Sequence, residues 1–109
     1  MNRNFSQTIT FHCPEPAKLI ALIERWDREH ATSDITGYMG TRVLADRENL
    51  GRYVCIIDFG VIDPAVSAAE EAARNNELPE TKAMAAAVAE IIDGEPEYHH
   101  FDEVYRTDQ

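Results

Sequence analysis

Histidine is the side chain best suited to proton transfer near neutral pH, and three of the four histidines in this chain fall in predicted strands. His12 lies near the end of the first strand, where it is either a general base beside an open-face cavity or a residue at the rim. His99 and His100 are adjacent, so they point to opposite faces of the last strand and cannot readily share a metal ion. One of them could approach His12 and form a site with Asp102 or Glu103, but we expect no metal. His12 and His100 are the candidate catalytic histidines.

Arg42 and three tyrosines are the other candidates for contact with a small molecule. Arg42 lies in an otherwise apolar strand, where an arginine in a cavity would bind a carboxylate or enolate and an arginine at the sheet edge would face solvent. Tyr38, Tyr53 and Tyr98 could supply hydroxyl groups to a mostly apolar pocket, although aromatic residues at a dimer interface would give the same pattern. Arg42 is therefore the third catalytic candidate, and Tyr38 and Tyr53 are candidate ligand contacts.

The two cysteines, Cys13 and Cys55, form neither a CxxC pair nor a disulfide framework. Cys55 lies among apolar neighbours in mid-strand, which is typical of an inert buried thiol. Cys13 follows His12 directly, and because adjacent strand residues diverge, a nucleophilic Cys–His pair is disfavoured. This use of cysteine favours a reducing, cytoplasmic location.

The elements that must position these residues follow from the periodicity of apolar side chains. The predicted elements are a strand at 5–13, a helix at 17–31, strands at 38–45 and 53–59, a helix from 63 that weakens at 75–76 and resumes at 79 until 94, and a strand at 97–105. Asp63 is the predicted cap of the second helix, and Pro64 fits its first turn. In the resumed helix, the predicted buried stripe comprises Met84, Ala85, Val88, Ile91 and Ile92.

The order β-α-β-β-α-β predicts a single ferredoxin-like α+β domain over residues 1–109, with its core at about 5–105. Its four-stranded antiparallel sheet would carry both helices on one face. Both alternating sets of side chains from Tyr53 to Phe59 are mostly apolar, so the open face of the sheet must also be covered. This pattern favours a homodimer formed sheet to sheet or a ligand cavity on the open face, and the two are compatible.

The strongly negative charge of the chain argues against partners that are themselves negatively charged. The formal net charge of −10 repels phosphate backbones and anionic lipids, so we expect neither nucleic acid nor membrane as a partner. No apolar run approaches the roughly 20 residues that span a bilayer, and the first residues lack the apolar segment of a secretory signal.

One segment carries a family resemblance. Residues 37–59, GYMGTRVLADRENLGRYVCIIDF, resemble the second and third strands of antibiotic-biosynthesis-monooxygenase-like domains, in which a glycine-led strand, a short polar loop and an aromatic-flanked strand follow one another. The alanine-rich segment 69–92 is similar to their later helical region. The resemblance spans roughly residues 5–105 and extends to the dimeric α/β-barrel superfamily as a whole. It implies a dimeric barrel and a cofactor-independent oxygenase acting on an aromatic or polyketide-like compound.

Two positions bear on the site that this resemblance implies. Phe59 stands where the third strand of the monooxygenases commonly ends in a substrate-facing tryptophan, so the resemblance makes Phe59 a candidate ligand contact on the open face. Asn76 stands near a position that is commonly histidine. Haem-degrading relatives place a ligating histidine on the second helix, whereas no histidine lies between His30 and His99 here. We therefore expect no haem and no other cofactor.

Three functions remain open from the sequence. The first is a cofactor-independent monooxygenase-like enzyme that acts on a small aromatic or polyketide-like compound. The second is a non-catalytic dimer of the same fold that binds a small molecule or serves a stress response. The third is a structural interaction module whose open face is filled by its partner. A cavity would separate the third function from the first two, and polar groups converging in that cavity would favour the enzyme.

Overall fold

The computed structural model describes residues 3–30, 37–61 and 65–107, and within these ranges it has four strands and three helices. In chain order these are β1 Phe5–His12, α1 Pro16–His30, β2 Tyr38–Ala45, β3 Arg52–Phe59, α2 Ala68–Asn76, α3 Pro79–Ala89 and β4 Asp93–Asp102. The predicted ferredoxin-like α+β order is confirmed, with the second helical region divided into α2 and α3. No helix in the described ranges has the length and apolar character that crossing a membrane requires.

The second helical region begins later than its sequence pattern predicts. Residues 62–64, which include the predicted cap Asp63 and the predicted first-turn Pro64, lie outside the described ranges. The described helix α2 is capped by Ser67, whose side-chain oxygen accepts a hydrogen bond from the backbone N–H of Glu70 at 3.1 Å. Helix α3 begins with Pro79 at its first position, as predicted.

The apolar stripe predicted for this helical region contributes to the core only in part: Ile92 is buried with Phe11, Leu19 and Cys55, and Val88 and Ile91 pack against that cluster. The helix ends at Ala89, so Ile91 and Ile92 lie beyond it, and no residue of α3 is buried. Met84 and Ala85 instead border a cavity that separates α3 from the sheet. The last strand also starts four residues before the predicted Glu97 and ends at Asp102, which shortens the predicted strand at its C-terminal side.

The sheet is antiparallel throughout and has the strand order β2-β3-β1-β4. Because side chains alternate along a strand, one set of β1 residues faces the helices and the other set faces away. We call these two surfaces the helix face, which carries Phe5, Gln7, Ile9 and Phe11 of β1, and the open face, which carries Ser6, Thr8, Thr10 and His12. Strand pairing places helix-face residues of neighbouring strands side by side in cross-strand rows. In one such row, Gln7 lies between Ile57 of β3 and His100 of β4, and Ile57 lies opposite Thr41 of β2.

Two apolar clusters hold the helices against the helix face. In the first, Leu19 of α1 packs among strand residues that include Phe11 and Cys55. In the second, Ala68 and Ala72 of α2 pack on Phe5 and Phe59, whose side chain is only 1% exposed. Small alanine side chains allow α2 to approach the sheet closely, which explains the dense packing at this end.

Candidate functional site

A partly enclosed cavity of about 530 Å³ lies between the helix face of the sheet and the helices α1 and α3. Its floor is formed by the helix-face side chains of neighbouring strands, and its other walls come from the helices. Apolar and aromatic side chains provide most of the wall, namely Ile9, Phe11, Leu19, Ile23, Trp26, Tyr38, Cys55, Ile57, Met84, Val88 and Tyr98. A cavity of this size and character suits a small, mostly apolar organic molecule.

Aromatic rings from α1 and β2 form part of the cavity wall. The indole of Trp26 meets the ring of Tyr38 edge to face at a centroid distance of 5.4 Å. The Tyr38 hydroxyl and the Thr41 hydroxyl share a hydrogen bond of 2.6 Å. Burial raises the pKa of the Tyr38 phenol, an effect that its hydrogen bond to Thr41 partly opposes and the charge of Asp27 reinforces. Tyr38 therefore remains protonated at neutral pH and acts as a neutral hydrogen-bonding group.

Two buried amides provide further polar groups in the lining. Gln7 on the sheet floor and Asn75 at the end of α2 are each only 7% exposed. The amide oxygen of Asn75 accepts a hydrogen bond of 3.1 Å from the Thr81 hydroxyl, which holds the amide in place beside the cavity. Gln7 has no such side-chain partner within the described ranges. Uncharged donors and acceptors therefore lie within an otherwise apolar enclosure.

The remaining ionisable groups are either neutral or exposed. Burial raises the pKa of the Cys55 thiol to about 11, and the nearby thiol of Cys13 adds to the effect, so Cys55 carries no thiolate at neutral pH. Lys82 and Glu95 contribute charged groups to the lining, and both are exposed to solvent. Lys82 is also paired with Glu77 at 3.2 Å. The inner cavity can thus bind and orient a neutral ligand, and it can offer hydrogen bonds to a developing oxyanion.

The structure places the predicted ligand contacts in different surroundings. Tyr38 and Tyr98 line the cavity. Tyr53 does not line the cavity and packs instead against the apolar cluster that contains Phe11 and Cys55. The prediction that Phe59 projects onto the open face is wrong, because Phe59 lies opposite Phe5 on the helix face and is buried beneath α2. The cavity that the structure shows lies beneath the helices, and a cavity on the open face stays a prediction. The wrong facing of Phe59 has a simple cause: the two alternating sets of β3 are similarly apolar, so the pattern does not say which set faces the helices.

None of the three catalytic candidates lines this cavity among the described residues. His12 faces the open side as predicted and lies at the hairpin between β2 and β3, with its Nε2 3.5 Å from Asn49 Oδ1. Arg42 lies on the open face of the edge strand β2, opposite Ile56. His100 is on the helix face but is exposed, and its ring stacks on Phe5 at 5.8 Å.

The two adjacent histidines do diverge, as their positions predict. His99 lies on the open face, where its Nε2 is 3.1 Å from Glu97. In the parts of the chain that the structure describes, no group of three histidine, cysteine or acidic side chains is placed to hold a metal ion.

Sequence reasoning missed Gln7, Asn75 and Trp26 as cavity residues. Gln7 did carry a signal, since it is a polar residue in the alternating set that otherwise contains Phe5, Ile9 and Phe11. Trp26 follows the apolar stripe of α1, which by itself indicates core packing. Asn75 and its position depend on the break between α2 and α3, which brings the last turn of α2 to the cavity.

No protein-family model matches the sequence, and no curated protein matches it. Solved structures do match the fold. A predicted antibiotic biosynthesis monooxygenase from Caulobacter crescentus CB15 has a TM-score of 0.72 and 12% identity, covering 95% of this chain and 92% of that chain. A variant of SnoaB, a cofactor-independent oxygenase from Streptomyces nogalater, has a TM-score of 0.72 and 17% identity, covering 98% and 99%.

Rv0793 from Mycobacterium tuberculosis has the same architecture, with a TM-score of 0.67 and 12% identity over 96% of this chain and 99% of that chain. These matches confirm the resemblance of fold to antibiotic-biosynthesis-monooxygenase-like domains. At such identities the likeness concerns the fold alone, so the chemistry of this chain must be argued from its own cavity.

Proposed function

We propose that this protein is a homodimeric, cofactor-independent monooxygenase-like enzyme that binds a small aromatic or polyketide-like compound in the cavity beneath its helices. The observation that carries this proposal is the cavity itself, about 530 Å³ in volume, with aromatic walls and uncharged polar groups. Its volume suits a compound of a few fused rings. The fold shared with a cofactor-independent oxygenase supports the same reaction class.

An oxygenation without cofactor requires a substrate that can itself reduce dioxygen. A ring methylene conjugated with a carbonyl group meets this need, because loss of one proton gives an electron-rich enolate. The methylene carbon is oxidised to a carbonyl, one oxygen atom of dioxygen enters the product, and the other leaves as water with the two hydrogens. The protein would contribute apolar binding, exclusion of bulk water and hydrogen bonds to the enolate oxygen from neutral groups such as Gln7, Asn75 and Tyr38.

The second candidate function is non-catalytic binding of the same class of compound. It is favoured by one observation, namely that no histidine occurs among the described residues lining the cavity. In addition, burial holds the Cys55 thiol protonated, with its pKa raised to about 11. The one carboxylate in the described lining, Glu95, is exposed to solvent, so the enzyme needs a substrate acidic enough to lose its proton to Glu95 or to water, whereas a binder has no such requirement. The purely structural module is disfavoured because a partner on the open face would leave this cavity unfilled.

Anthrone, a three-ring ketone with an acidic methylene, provides a direct test in an oxygen electrode. We expect the protein to accelerate uptake of dioxygen, with one dioxygen consumed per anthrone and anthraquinone formed. Val88→Trp should abolish the acceleration, because Val88 lines the cavity and the larger ring would fill it. Ala83→Trp, on an exposed position of the same helix that does not line the cavity, is the matched control and should retain activity.

The outcomes separate the two candidates. Anthrone that binds without faster oxygen uptake would support the non-catalytic binder, and anthrone that neither binds nor reacts would contradict both. Equal loss of activity in the Val88→Trp and Ala83→Trp variants would show that the cavity is not the site.

The apolar character of the open face supports the proposed homodimer. This surface carries half-buried Val54 and Ile56 beside the more exposed Leu44 and Phe101, an apolar surface that water-exposed monomers rarely retain. Pairing of two open faces would bury it and complete a barrel of two sheets. Light scattering should report twice the mass of the chain, and Ile56→Asp should shift the protein toward the monomer. A monomer at micromolar concentration would contradict the dimer but not the cavity.

We place this single-domain protein in the cytoplasm, in keeping with its unpaired cysteines.

A further inference from the structure

We infer that Gln7 forms the hydrogen bond that orients the ligand in the cavity. The ligand therefore carries an uncharged oxygen, either a ketone or a phenol, and this oxygen lies over the part of the floor formed by β1 and β3. The inference rests on the proposed function for the presence of a ligand in the cavity. It goes further by naming the residue that orients this ligand and the chemical group that the residue recognises.

The burial of Gln7 is the first observation. Its side chain is 7% exposed, lines the cavity, and makes no hydrogen bond to another side chain or backbone group within the described ranges. Because Gln7 lines the cavity, its unpaired amide is available to a molecule that occupies the cavity. Phe5, Ile9 and Phe11 are apolar at the other helix-face positions of β1, so an apolar residue at position 7 would fit the pattern of the strand. A polar residue that departs from an otherwise apolar pattern and lines a cavity is typical of functional sites.

The second observation concerns the neighbours of Gln7 on the floor. Gln7 lies between Ile57 and His100 in the cross-strand row, and the next polar group in that row is Thr41, beyond Ile57. The Thr41 hydroxyl is already engaged with the Tyr38 hydroxyl at 2.6 Å. Gln7 thus offers the floor both a donor and an acceptor that protein groups do not occupy, whereas the hydroxyls farther along the row satisfy each other.

The third observation is the charge of the surroundings. An amide is neutral, and the charged groups in the lining, Lys82 and Glu95, lie at exposed positions. A carboxylate placed over Gln7 would lose its hydration without gaining an ion pair, which is costly in an apolar enclosure. A ketone or phenol oxygen would accept or donate one hydrogen bond to the amide and leave its rings against Phe11 and Ile57. The site therefore selects an uncharged oxygen.

Fluorenone and fluorene test this assignment, because they share one three-ring skeleton and differ by a carbonyl in place of a methylene. Trp26 is the only tryptophan of the chain and lines the cavity, so its fluorescence reports binding of either probe. We expect the protein to bind fluorenone roughly five- to tenfold more tightly than fluorene, as one hydrogen bond allows. In Gln7→Met the ratio should fall to about one while fluorene affinity is retained. The matched control Ile57→Val, at the neighbouring floor position, should change both affinities together and keep the ratio.

A second measurement needs no variant. The side-chain amide resonance of Gln7, followed by ¹⁵N NMR, should move further with fluorenone than with fluorene. Equal shifts of this resonance, or an unchanged affinity ratio in Gln7→Met, would overturn the role of Gln7 and leave the binding cavity standing. Failure of the unsubstituted protein to bind either probe would instead overturn the proposed function, and the role of Gln7 with it.

Discussion

The indole of Trp26 and the phenol ring of Tyr38 meet edge to face, with their centroids 5.4 Å apart and their planes at 81°. This contact joins α1 to the edge strand β2 in the wall of the cavity. Tyr38 also meets Phe59 at 6.0 Å, so the same ring borders the cavity on one side and the dense core on the other. The position of Tyr38 therefore links the shape of the cavity to the stability of the fold.

Replacing Tyr38 by phenylalanine tests the polar part of this contact. The change keeps the ring but removes the 2.6 Å hydrogen bond to Thr41, leaving that hydroxyl partly buried without its partner. We expect the free energy of unfolding to fall by about 0.5–1.5 kcal/mol. Thermal or urea unfolding would measure it. The double variant Tyr38→Phe/Thr41→Val should lose less than the sum of the two single changes, because each removes the same bond. Strictly additive losses would show that the two hydroxyls are not coupled.

Phe59 offers a test of core packing against cavity lining. Its side chain is 1% exposed and packs with Phe5 and Ala72. Phe59→Trp adds volume to this cluster, which typically costs about 1–3 kcal/mol, and for a domain of this size such a cost lowers the thermal midpoint by about 4 °C or more. Tyr105→Trp, at a position 79% exposed, is the control and should leave the midpoint unchanged. An unchanged midpoint in Phe59→Trp would place the ring in a space that accepts indole.

The sequence pattern could predict elements and pairings but not which surface each strand turns inward. Turn signals that bracket a short apolar run predict the strand at Tyr38–Ala45 with the bounds that the structure has. The alternation of side chains places Tyr53 and Phe59 on one face of their strand, as the structure does. It does not say which face, since Val54 and Ile56 are as apolar as their neighbours, and the open face predicted for Phe59 is wrong. The cavity itself depends on α3 standing away from the sheet, a tertiary arrangement that no local pattern encodes.

The close approach of two glycines at the end of the β2–β3 pair is a further testable feature. Gly37 has a φ of +81°, its carbonyl accepts a 2.7 Å hydrogen bond from Gly60, and an added Cβ would lie 2.8 Å from the Gly60 carbonyl oxygen. Gly37→Ala should therefore combine backbone strain with a steric clash. Gly94→Ala is the matched control, because Gly94 has a φ of +74° but no atom within 4 Å of an added Cβ.

We expect Gly94→Ala to cost about 1 kcal/mol from backbone strain alone and Gly37→Ala to cost clearly more in chemical unfolding. Equal losses in the two variants would mean that the Gly37–Gly60 approach relaxes without penalty.

The thiol of Cys55 gives a prediction for pH. Burial raises its pKa from the ordinary value of 9.0 to about 11, so the folded protein keeps the thiol protonated where the unfolded chain already ionises. This group leaves the free energy of unfolding unaffected below pH 9 and lowers it as the pH rises from 9 toward 11. In a Cys13→Ala background, the pH profile for Cys55→Ala should lack this component. Iodoacetamide should alkylate the native Cys55 thiol slowly at pH 7.5, and rapid alkylation under native conditions would contradict the raised pKa.

The proposed function requires a ligand to enter the cavity beneath the helices, and the adjacent residues Ile56 and Ile57 can report where that ligand binds. Ile57 lines the cavity, whereas Ile56 lies on the open face opposite Thr8 and Arg42. In a methyl-labelled sample titrated with fluorenone, we predict that the ¹³C–¹H methyl resonances of Ile57 shift and those of Ile56 do not. Shifts confined to Ile56, or the absence of any shift at Ile57 at saturating probe, would contradict the site.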